Sequence, residues 1–225
     1  KTELTIQGKS QKTIEAYLIH AQQFSKFVNK QLDATTEQDI KNYISSLMQQ
    51  RIKPRSINLK LSALKFIYKE LLKKPEIISK IKSQKKSKKL PLYLTKEEID
   101  KLLAEAKNPK HRLLIALMLS SGLRVSECLN LKINDINLQE KTIHVKSGKG
   151  DKERITILSQ GVIEDIKKYL AERKHHSEYL FSKKSGRPLT PKLAQKILPL
   201  LTKKAGIQKK VTPHVLRHTF ATLLL

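Results

Sequence analysis

Apolar residues recur at helical spacing through much of the first 79 residues. One series, over residues 14–28, places its apolar side chains mostly three and four positions apart, the spacing of one helix face. A second series, over residues 40–47, follows Thr35-Thr36-Glu37-Gln38, which has the composition of a capping box. Pro54 marks a break, and an apolar stripe then runs from Ile57 to Leu71. These patterns predict a region built of helices alone.

A mixed pattern begins after residue 90. Residues 95–98 have the composition of a capping box, and residues 113–119 are apolar on every side, which indicates a buried helix that Gly122 is placed to end. Residues 142–145 and 153–158 form two β-branched runs around a glycine-containing turn and predict a β-hairpin. Further helices are expected over 161–173, over 191–204 and after Thr212-Pro213. The predicted fold class is mainly α with a small antiparallel β-sheet.

Residues 80–89, KIKSQKKSKK, separate the two regions. This segment has no aromatic residue and little to bury, so it predicts an interdomain linker. We therefore expect a helical domain over residues 1–79, a basic linker over 80–90 and a second domain over 91–225. The linker is expected to follow a DNA backbone through Lys85, Lys86, Lys88 and Lys89.

Positive charge dominates the composition. The chain has 46 lysine and arginine residues against 20 acidic residues, a net charge of +26. Charge on this scale indicates a polyanion, usually DNA or RNA, as the partner. No acidic residue lies between Glu76 and Glu97 or after Glu178, so these stretches are best suited to contact phosphate. Composition alone fits a ribosomal or chromatin protein equally well.

Other compositional features bear on location and cofactors. The single cysteine, Cys128, cannot form an internal disulfide, which favours a reducing, cytoplasmic location. The sequence has no run of 18 apolar residues and no signal peptide, so no membrane association is expected. It also has no GxxxxGK(S/T) loop, cysteine cluster or clear carboxylate cluster, so we expect neither a nucleotide cofactor nor a metal.

A polar strip lies beside the apolar stripe of the helix that follows Pro54. It consists of Asn58, Ser62, Lys65 and Lys69, with Arg55 near the start of the helix. A helix with a core face and an adjacent basic face could lie against DNA, so these five residues are candidate DNA contacts. A solvated helix face explains the same pattern.

Two basic positions with possible chemistry lie in the middle of the chain. Arg124 directly follows the predicted buried helix, where rigid structure would hold it for phosphate binding, and Glu127 could orient a neighbouring group. Lys149 stands between glycines at the predicted hairpin tip, where it could reach a groove and protonate a leaving oxygen. Lys152 shares that turn and is a further candidate DNA contact. Each position alone also fits an ordinary surface site.

A third basic group lies near Pro213. If a helix starts there, His214 and Arg217 share a face close to its N-terminus, where free N–H groups and the helix dipole attract phosphate. Histidine can transfer protons near neutral pH, and arginine can bind two phosphate oxygens. His218 lies one residue beyond the pair, and we interpret it as a packing histidine.

The segments SGLRVSE, GKGDKER and PHVLRHTFAT occur in this order, and together they resemble the tyrosine recombinases, especially the Xer type that resolves chromosome dimers. The likeness extends over essentially the whole chain. It implies an N-terminal SAM-like core-binding domain and an α+β catalytic domain. By resemblance, Arg124, Lys149, His214 and Arg217 are catalytic, and Glu127 is the acidic residue that supports them.

The resemblance also implies a reaction and its partners. The enzyme would cleave and rejoin double-stranded DNA through a 3′-phosphotyrosyl intermediate, acting as a homo-oligomer, a tetramer on two recombination sites. The nucleophilic tyrosine of the family follows the His-x-x-Arg pair by a few dozen residues, whereas none of the six tyrosines in this chain follows Arg217. We therefore expect the nucleophile in a continuation of the sequence beyond Leu225.

Chromosome dimer resolution is the expected role, and three alternatives stay open. They are integration of a mobile element, strand nicking and resealing of the type IB topoisomerase kind, and DNA binding without chemistry. The chain length, the linker and the motif order argue against a topoisomerase. The presence of all four catalytic candidates argues against a protein that only binds DNA.

Overall fold

The computed structural model describes residues 2–85, 90–146 and 153–224. The chain divides into two compact units, Lys1–Lys89 and Leu90–Leu225. Over its described residues the first unit is helical throughout, and the second combines helices with a small antiparallel sheet. The predicted fold class is confirmed. Among the described residues, no helix is both long and apolar enough to cross a membrane.

The first unit has its core where three longer helices meet. Its described elements are α1 (Thr2–Ile6), α2 (Gln11–Val28), a 3₁₀ turn (Leu32–Ala34), α3 (Glu37–Gln49), α4 (Pro54–Phe66), a π-helical turn (Ile67–Leu71) and α5 (Glu76–Ser79). The core side chains include Phe24 from α2, Tyr43 from α3 and Leu61 from α4, with Tyr68 beside them. These are residues of the apolar series that predicted the helices.

The cap of α3 lies one residue later than the sequence predicts. Thr36 is the N-cap: its Oγ1 accepts from the Asp39 N–H at 3.3 Å, and its own N–H donates to Asp39 Oδ2 at 2.9 Å. Thr35 is buried, and its hydroxyl hydrogen-bonds to the Tyr68 hydroxyl and donates to the Leu32 carbonyl at 2.8 Å. The predicted box starting at Thr35 is therefore wrong by one position, because the core uses the Thr35 hydroxyl.

Leu71 departs from the predicted apolar stripe. Ile57, Leu61, Leu64 and Tyr68 are buried as expected, but Leu71 is 45% exposed. The helix widens into a π turn after Phe66, in which the Leu72 N–H donates to the Ile67 carbonyl at 2.9 Å. A π turn takes up more residues per turn than an α-helix, so the spacing that buries Tyr68 no longer brings residue 71 to the core.

The first residues of the predicted linker pack on the first unit. Ile81 is buried in its core. The Asn58 side-chain amide donates to the Gln84 carbonyl at 2.9 Å and accepts from the Gln84 N–H at 2.7 Å. The packed part of this unit therefore reaches at least residue 84, beyond the boundary expected at residue 79.

The second unit surrounds a buried helix. Its described elements are α6 (Lys96–Glu105), α7 (Pro109–Ser121), α8 (Val125–Leu129), a 3₁₀ turn (Ile133–Asp135), β1 (Ile136–Asn137), β2 (Thr142–Val145), β3 (Arg154–Ile157), α9 (Gln160–Glu172), α10 (Pro191–Lys204) and α11 (Pro213–Leu223). Helix α7 packs against α9 and α11, and its residues 113–119 are all buried, which confirms the sequence prediction. The capping box of Thr95 with Glu98 and the Thr212 cap of α11 are confirmed as well.

The sheet has the order β1-β2-β3, and all its pairs are antiparallel. In the β2–β3 hairpin, Thr142 pairs with Ile157 and Val145 with Arg154, which confirms the predicted hairpin. Arg154 and Thr156 are partly buried, whereas Ile155 and Ile157 are exposed. Successive side chains of β3 therefore point to opposite faces of the sheet, and Arg154 lies on the inner face.

Gly122 ends α7 in a conformation that suits glycine. Its φ is 60°, in the left-handed region that a Cβ disfavours. A Cβ at this position would also overlap the Phe220 ring of α11. The Arg217 side chain, also on α11, donates to the Gly122 carbonyl. Close approach of α11 to the end of α7 therefore depends on the absence of a side chain at residue 122.

We expect Gly122→Ala to lower the free energy of unfolding by ~2 kcal/mol or more, from the left-handed backbone and the overpacking against Phe220. Gly161→Ala is the matched control, because Gly161 lies in α9 with nothing within 4 Å of an added Cβ. That variant should be neutral or stabilised by up to about 1 kcal/mol. Urea unfolding measures both, and equal stability of the two variants would contradict the packing described for Gly122.

Candidate active site

The fold brings two of the sequence-predicted groups together at the end of α7. Arg124 is the N-cap residue of α8, two positions after Gly122. Arg217 lies in α11, and its Nη1 donates to the Gly122 carbonyl although the two residues are 95 positions apart. Burial lowers the pKa of Arg217, and the positive charge of Arg124 lowers it further. Two positively charged guanidinium groups near each other favour the binding of an anion close to them.

Glu127 occupies the centre of this arrangement. Its side chain is only 4% exposed. One carboxylate oxygen accepts from the Arg124 N–H at 2.8 Å, and the other accepts from Arg124 Nη1 at 2.5 Å. The supporting acid predicted from the sequence therefore contacts Arg124 through both its backbone and its side chain.

Arg154 is a member of the site that the sequence reasoning missed. From the inner face of β3, its Nη2 donates to Glu127 Oε2 at 2.6 Å and its Nη1 to Glu127 Oε1 at 3.1 Å. This is the two-pronged geometry that makes arginine–carboxylate pairs strong. The available signal was the strand alternation, which places a charged residue on the same side as Thr156 and away from the exposed isoleucines.

Burial and hydrogen bonding act in opposite directions on Glu127. Burial raises the pKa of this carboxyl group, but the hydrogen bonds from Arg154, and those from the Arg124 backbone and side chain, outweigh it and lower the pKa to about 2. Glu127 is therefore charged at every pH near neutrality. The cluster of Arg124, Arg154, Arg217 and Glu127 carries a net positive charge, which suits a bound phosphate.

His214 lies on the exposed side of the site. It is the second residue of α11, and its ring stands 4.5 Å from the His218 ring, edge to face at 70°. His218 is partly buried. The packing role expected for His218 therefore includes a contact with the predicted catalytic histidine.

Two clefts open on either side of Arg124. The first, about 850 Å³, is bordered by Arg124, His214, the end of α10 and the basic residues Lys203, Lys209 and Lys210. The second, about 620 Å³, is bordered by Arg124, Glu127 and the start of the hairpin. A group held by Arg124 could therefore also reach His214, whereas Glu127 faces the other cleft.

The remaining predicted positions divide into three sets. Arg55, Ser62 and Lys69 are exposed, and Lys65 is partly exposed, on the helix that begins at Pro54. Asn58 is buried with its amide paired to Gln84, so this amide is already used within the first unit. Lys85 is exposed. The predictions for Lys86, Lys88, Lys89, Lys149 and Lys152 lie outside the described residues.

Comparison with known proteins agrees with both units. Residues 92–225 match the Phage integrase family, and residues 1–78 match the N-terminal SAM-like domain of phage integrases. The chain belongs to the phage integrase family. This tyrosine recombinase is similar over its whole length to tyrosine recombinase XerA of Pyrococcus horikoshii, with 38% identity over 228 residues and 77% of that protein covered. The family and the SAM-like domain expected from the motifs are thereby confirmed.

Solved structures extend the comparison. The recombinase resembles the crystal structure of XerA, with 35% identity, a TM-score of 0.56, and coverage of 99% of this chain and 81% of the other. It also resembles XerH site-specific recombinase bound to a palindromic difH substrate, with 26% identity, a TM-score of 0.78, and coverage of 94% and 68% respectively. Its class is therefore that of the enzymes of site-specific recombination.

We expect a pH-dependent contribution of Glu127 to stability. A carboxyl group whose pKa is lowered to about 2 in the folded chain, from 4.5 ordinarily, stabilises the fold above pH 4.5, and this contribution is lost as the pH falls towards 2. Unfolding free energies of the wild type and Glu127→Gln, measured from pH 7 to pH 2, should therefore differ most at neutral pH and converge in acid. Taking the difference between the two proteins cancels the contributions of the other carboxyl groups to the free energy of unfolding. A difference that stays constant over this pH range would contradict the ion pairs of Glu127 with Arg124 and Arg154.

Proposed function

We propose that this recombinase cleaves and rejoins DNA strands at a specific double-stranded site, with Arg124 and Arg217 binding the scissile phosphate. The observation that carries this proposal is the placement of both arginines at the end of α7, where Arg217 donates to the Gly122 carbonyl and Arg124 borders one cleft together with His214. Arginines held on rigid elements can stabilise the extra negative charge of a pentavalent phosphorus transition state. This is the electrostatic work that metal ions do in other phosphoryl transfers.

The proposed chemistry exchanges one phosphate ester for another. A tyrosine hydroxyl attacks the scissile phosphorus, a P–O bond forms to the tyrosine, and the bond from phosphorus to the 5′ oxygen breaks. His214 would accept the tyrosine proton, and Lys149 would donate a proton to the leaving 5′ oxygen. The free 5′-hydroxyl of a partner strand then attacks the phosphotyrosine and releases the tyrosine. No external energy source is needed, because each step makes one ester bond and breaks one.

The biological role that we propose is chromosome dimer resolution in the cytoplasm, as for Xer recombinases. The similarity to XerA and XerH supports it. The XerH substrate is palindromic, and a palindrome matches a symmetric pair of subunits on each site. Exchange between two such sites would engage four copies of this chain. Integration of a mobile element uses the same chemistry, and the identity of the natural site would separate the two roles.

The first test is covalent trapping. The product of the complete reading frame is first used to select its site from a randomised duplex library. It is then given that site with a nick near the scissile phosphate, so that a short leaving fragment diffuses away. We expect a covalent protein–DNA adduct in EDTA, through a tyrosine on a 3′ phosphate. Complete dependence on Mg²⁺ would refute the mechanism. On a supercoiled circle that carries the site, relaxed circles without recombinant products would favour a topoisomerase.

The arginines should affect chemistry more than binding. Arg124→Ala and Arg217→Ala should each lower adduct formation by ~10²–10³-fold, as loss of a transition-state donor does. Binding of the selected site should change by less than about threefold, because most of the affinity comes from other phosphate contacts. Equal losses in binding and in cleavage would show that these arginines only anchor DNA.

A sulfur substrate tests the role of Lys149. When sulfur replaces the bridging 5′ oxygen, the leaving thiolate needs no proton, because its conjugate acid is much stronger than an alcohol. Lys149→Ala should therefore be slow on the normal substrate and close to wild type on the sulfur substrate, whereas Arg217→Ala should stay slow on both. Rescue of both variants, or of neither, would assign the general acid to another residue, with Lys152 or His214 next.

The basic face of α4 and the adjoining turn should contribute affinity without selectivity. Lys65→Gln and Lys69→Gln should each weaken binding and lower the slope of log K against log salt by about 0.9 for each phosphate that is no longer neutralised. The preferred sequence should stay the same, since phosphate contacts carry no sequence information. Lys41→Gln is the control, because Lys41 is already paired with Glu37 at 2.7 Å. A slope unchanged in all three variants would place the DNA elsewhere.

A further inference from the structure

Arg124 and Arg154 use the same carboxylate in different ways. Arg154 gives both terminal nitrogens to Glu127. Arg124 gives a single side-chain nitrogen, Nη1, and its side chain is 40% exposed against 32% for Arg154. A guanidinium group has five N–H donors, so Arg124 keeps donors free for a ligand. Arg154, in contrast, uses both terminal nitrogens to bind Glu127. The division suggests that one arginine holds the site and the other serves the substrate.

The position of Arg154 along the chain gives this pairing a second consequence. Arg154 is the first residue of β3, directly after the hairpin connection that carries Lys149. On the same face of the strand, the Thr156 hydroxyl donates to the Ser121 carbonyl at 2.8 Å. Two neighbouring inner-face residues therefore fasten β3 to residues 121–127, the segment that contains Arg124.

Removing Arg154 would leave Glu127 in an unfavourable state. The carboxylate is buried, and a buried charge needs partners. Arg124 alone would have to supply them, and could do so only by turning more of its donors away from the substrate. An arginine displaced by about 1 Å from the reacting phosphate can cost ~10²-fold in rate.

From this geometry we infer that Arg154 is a positioning residue for the proposed recombination reaction. It acts through Glu127 to hold Arg124 in place, and with Thr156 it ties β3 to residues 121–127. This inference rests on the proposed function, since it assigns Arg154 a part in that site. Arg154 itself is not assigned a contact with the DNA.

Single-turnover cleavage of the nicked site, with the full-length protein, tests the inference. Arg154→Met should slow adduct formation by ~10²-fold while site binding stays within about threefold. Arg154→Lys keeps the positive charge but cannot donate two parallel hydrogen bonds to the carboxylate, so its rate of adduct formation should be intermediate. Arg112→Met is the control, because Arg112 is also paired with a carboxylate, at 3.4 Å to Asp165, and should cleave at the wild-type rate. Wild-type cleavage by either Arg154 variant would overturn the inference.

A double-mutant cycle separates positioning from independent action. If Arg154 works through Glu127, then Arg154→Met should add less than about threefold to the loss already caused by Glu127→Gln. Multiplied losses would mean that Arg154 acts on the DNA directly, and would overturn the inference. Thermal unfolding of each variant guards against misfolding, because a variant that fails to fold shows no cooperative transition. If Arg154→Met fails in this way, Arg154→Lys carries the test.

The acid side of the pH profile gives a signature that a structural role alone would not produce. Without Arg154, the pKa of Glu127 should rise from about 2, so the cleavage rate of Arg154→Met should fall as the pH is lowered from 7 to 5, beyond any fall in the wild type. Other charged or titratable groups border the cleft that Glu127 faces, namely Lys132, Asp135, His144 and Lys146. Measuring the same pH profile with Glu127→Gln present removes the contribution of Glu127 and leaves the contributions of these groups. A profile parallel to the wild type would contradict the inference.

A readout without DNA keeps this inference distinct from the proposed function. Side-chain NMR of the Arg124 guanidinium should show protected, resolved N–H signals in the wild type and averaged signals in Arg154→Met. Unchanged Arg124 signals would overturn the positioning role even if the enzyme cleaves DNA. Absence of any adduct with the wild type would instead overturn the proposed function, while the NMR comparison would still decide whether Arg154 holds Arg124.

Discussion

The carboxylate of Glu127 is almost inaccessible to solvent and accepts hydrogen bonds from two arginines that come from different parts of the second unit. Moving an ionised carboxylate out of water costs several kcal/mol unless partners compensate for the lost hydration. Here the compensation comes from Arg124 at the start of α8 and from Arg154 at the start of β3. The same contacts that make the burial tolerable therefore set the distance between the helix and the hairpin.

The second constraint on the site is steric. Arg217 can reach the end of α7 only because Gly122 has no side chain between that turn and the Phe220 ring. The carbonyl that receives Arg217 belongs to Gly122, and Arg124 follows two residues later. One turn of the chain thus supplies both the anchor for one arginine and the backbone of the other. With three guanidinium groups and one carboxylate, the cluster retains positive charge for a phosphate.

Much of this could be predicted from the sequence, for identifiable reasons. Helix α7 was predictable because an apolar surface on all sides leaves only a buried position, and the hairpin because β-branched runs flank a glycine turn. Arg124 and Arg217 could be placed in one site only through the family resemblance, since their contact depends on the packing of α11 on α7. The pairing of the Asn58 amide with the backbone of Gln84 could not be predicted, because the periodicity of α4 does not reveal it. Leu71 was misread because a π turn leaves no sequence signal. Arg154 was overlooked because its partner lies 27 positions away.

Arg124 and Arg217 are proposed to bind phosphate charge, and a change in the substrate tests this role most directly. A methylphosphonate at the scissile position replaces one charged non-bridging oxygen with a neutral methyl group, so it removes part of what the arginines neutralise. Cleavage rates of the wild type and of the two alanine variants should be compared on phosphate and on methylphosphonate. We predict that the ~10²–10³-fold defect of at least one variant on phosphate shrinks to about tenfold or less on the neutral substrate. Defects of the same size on both substrates would contradict the proposed role.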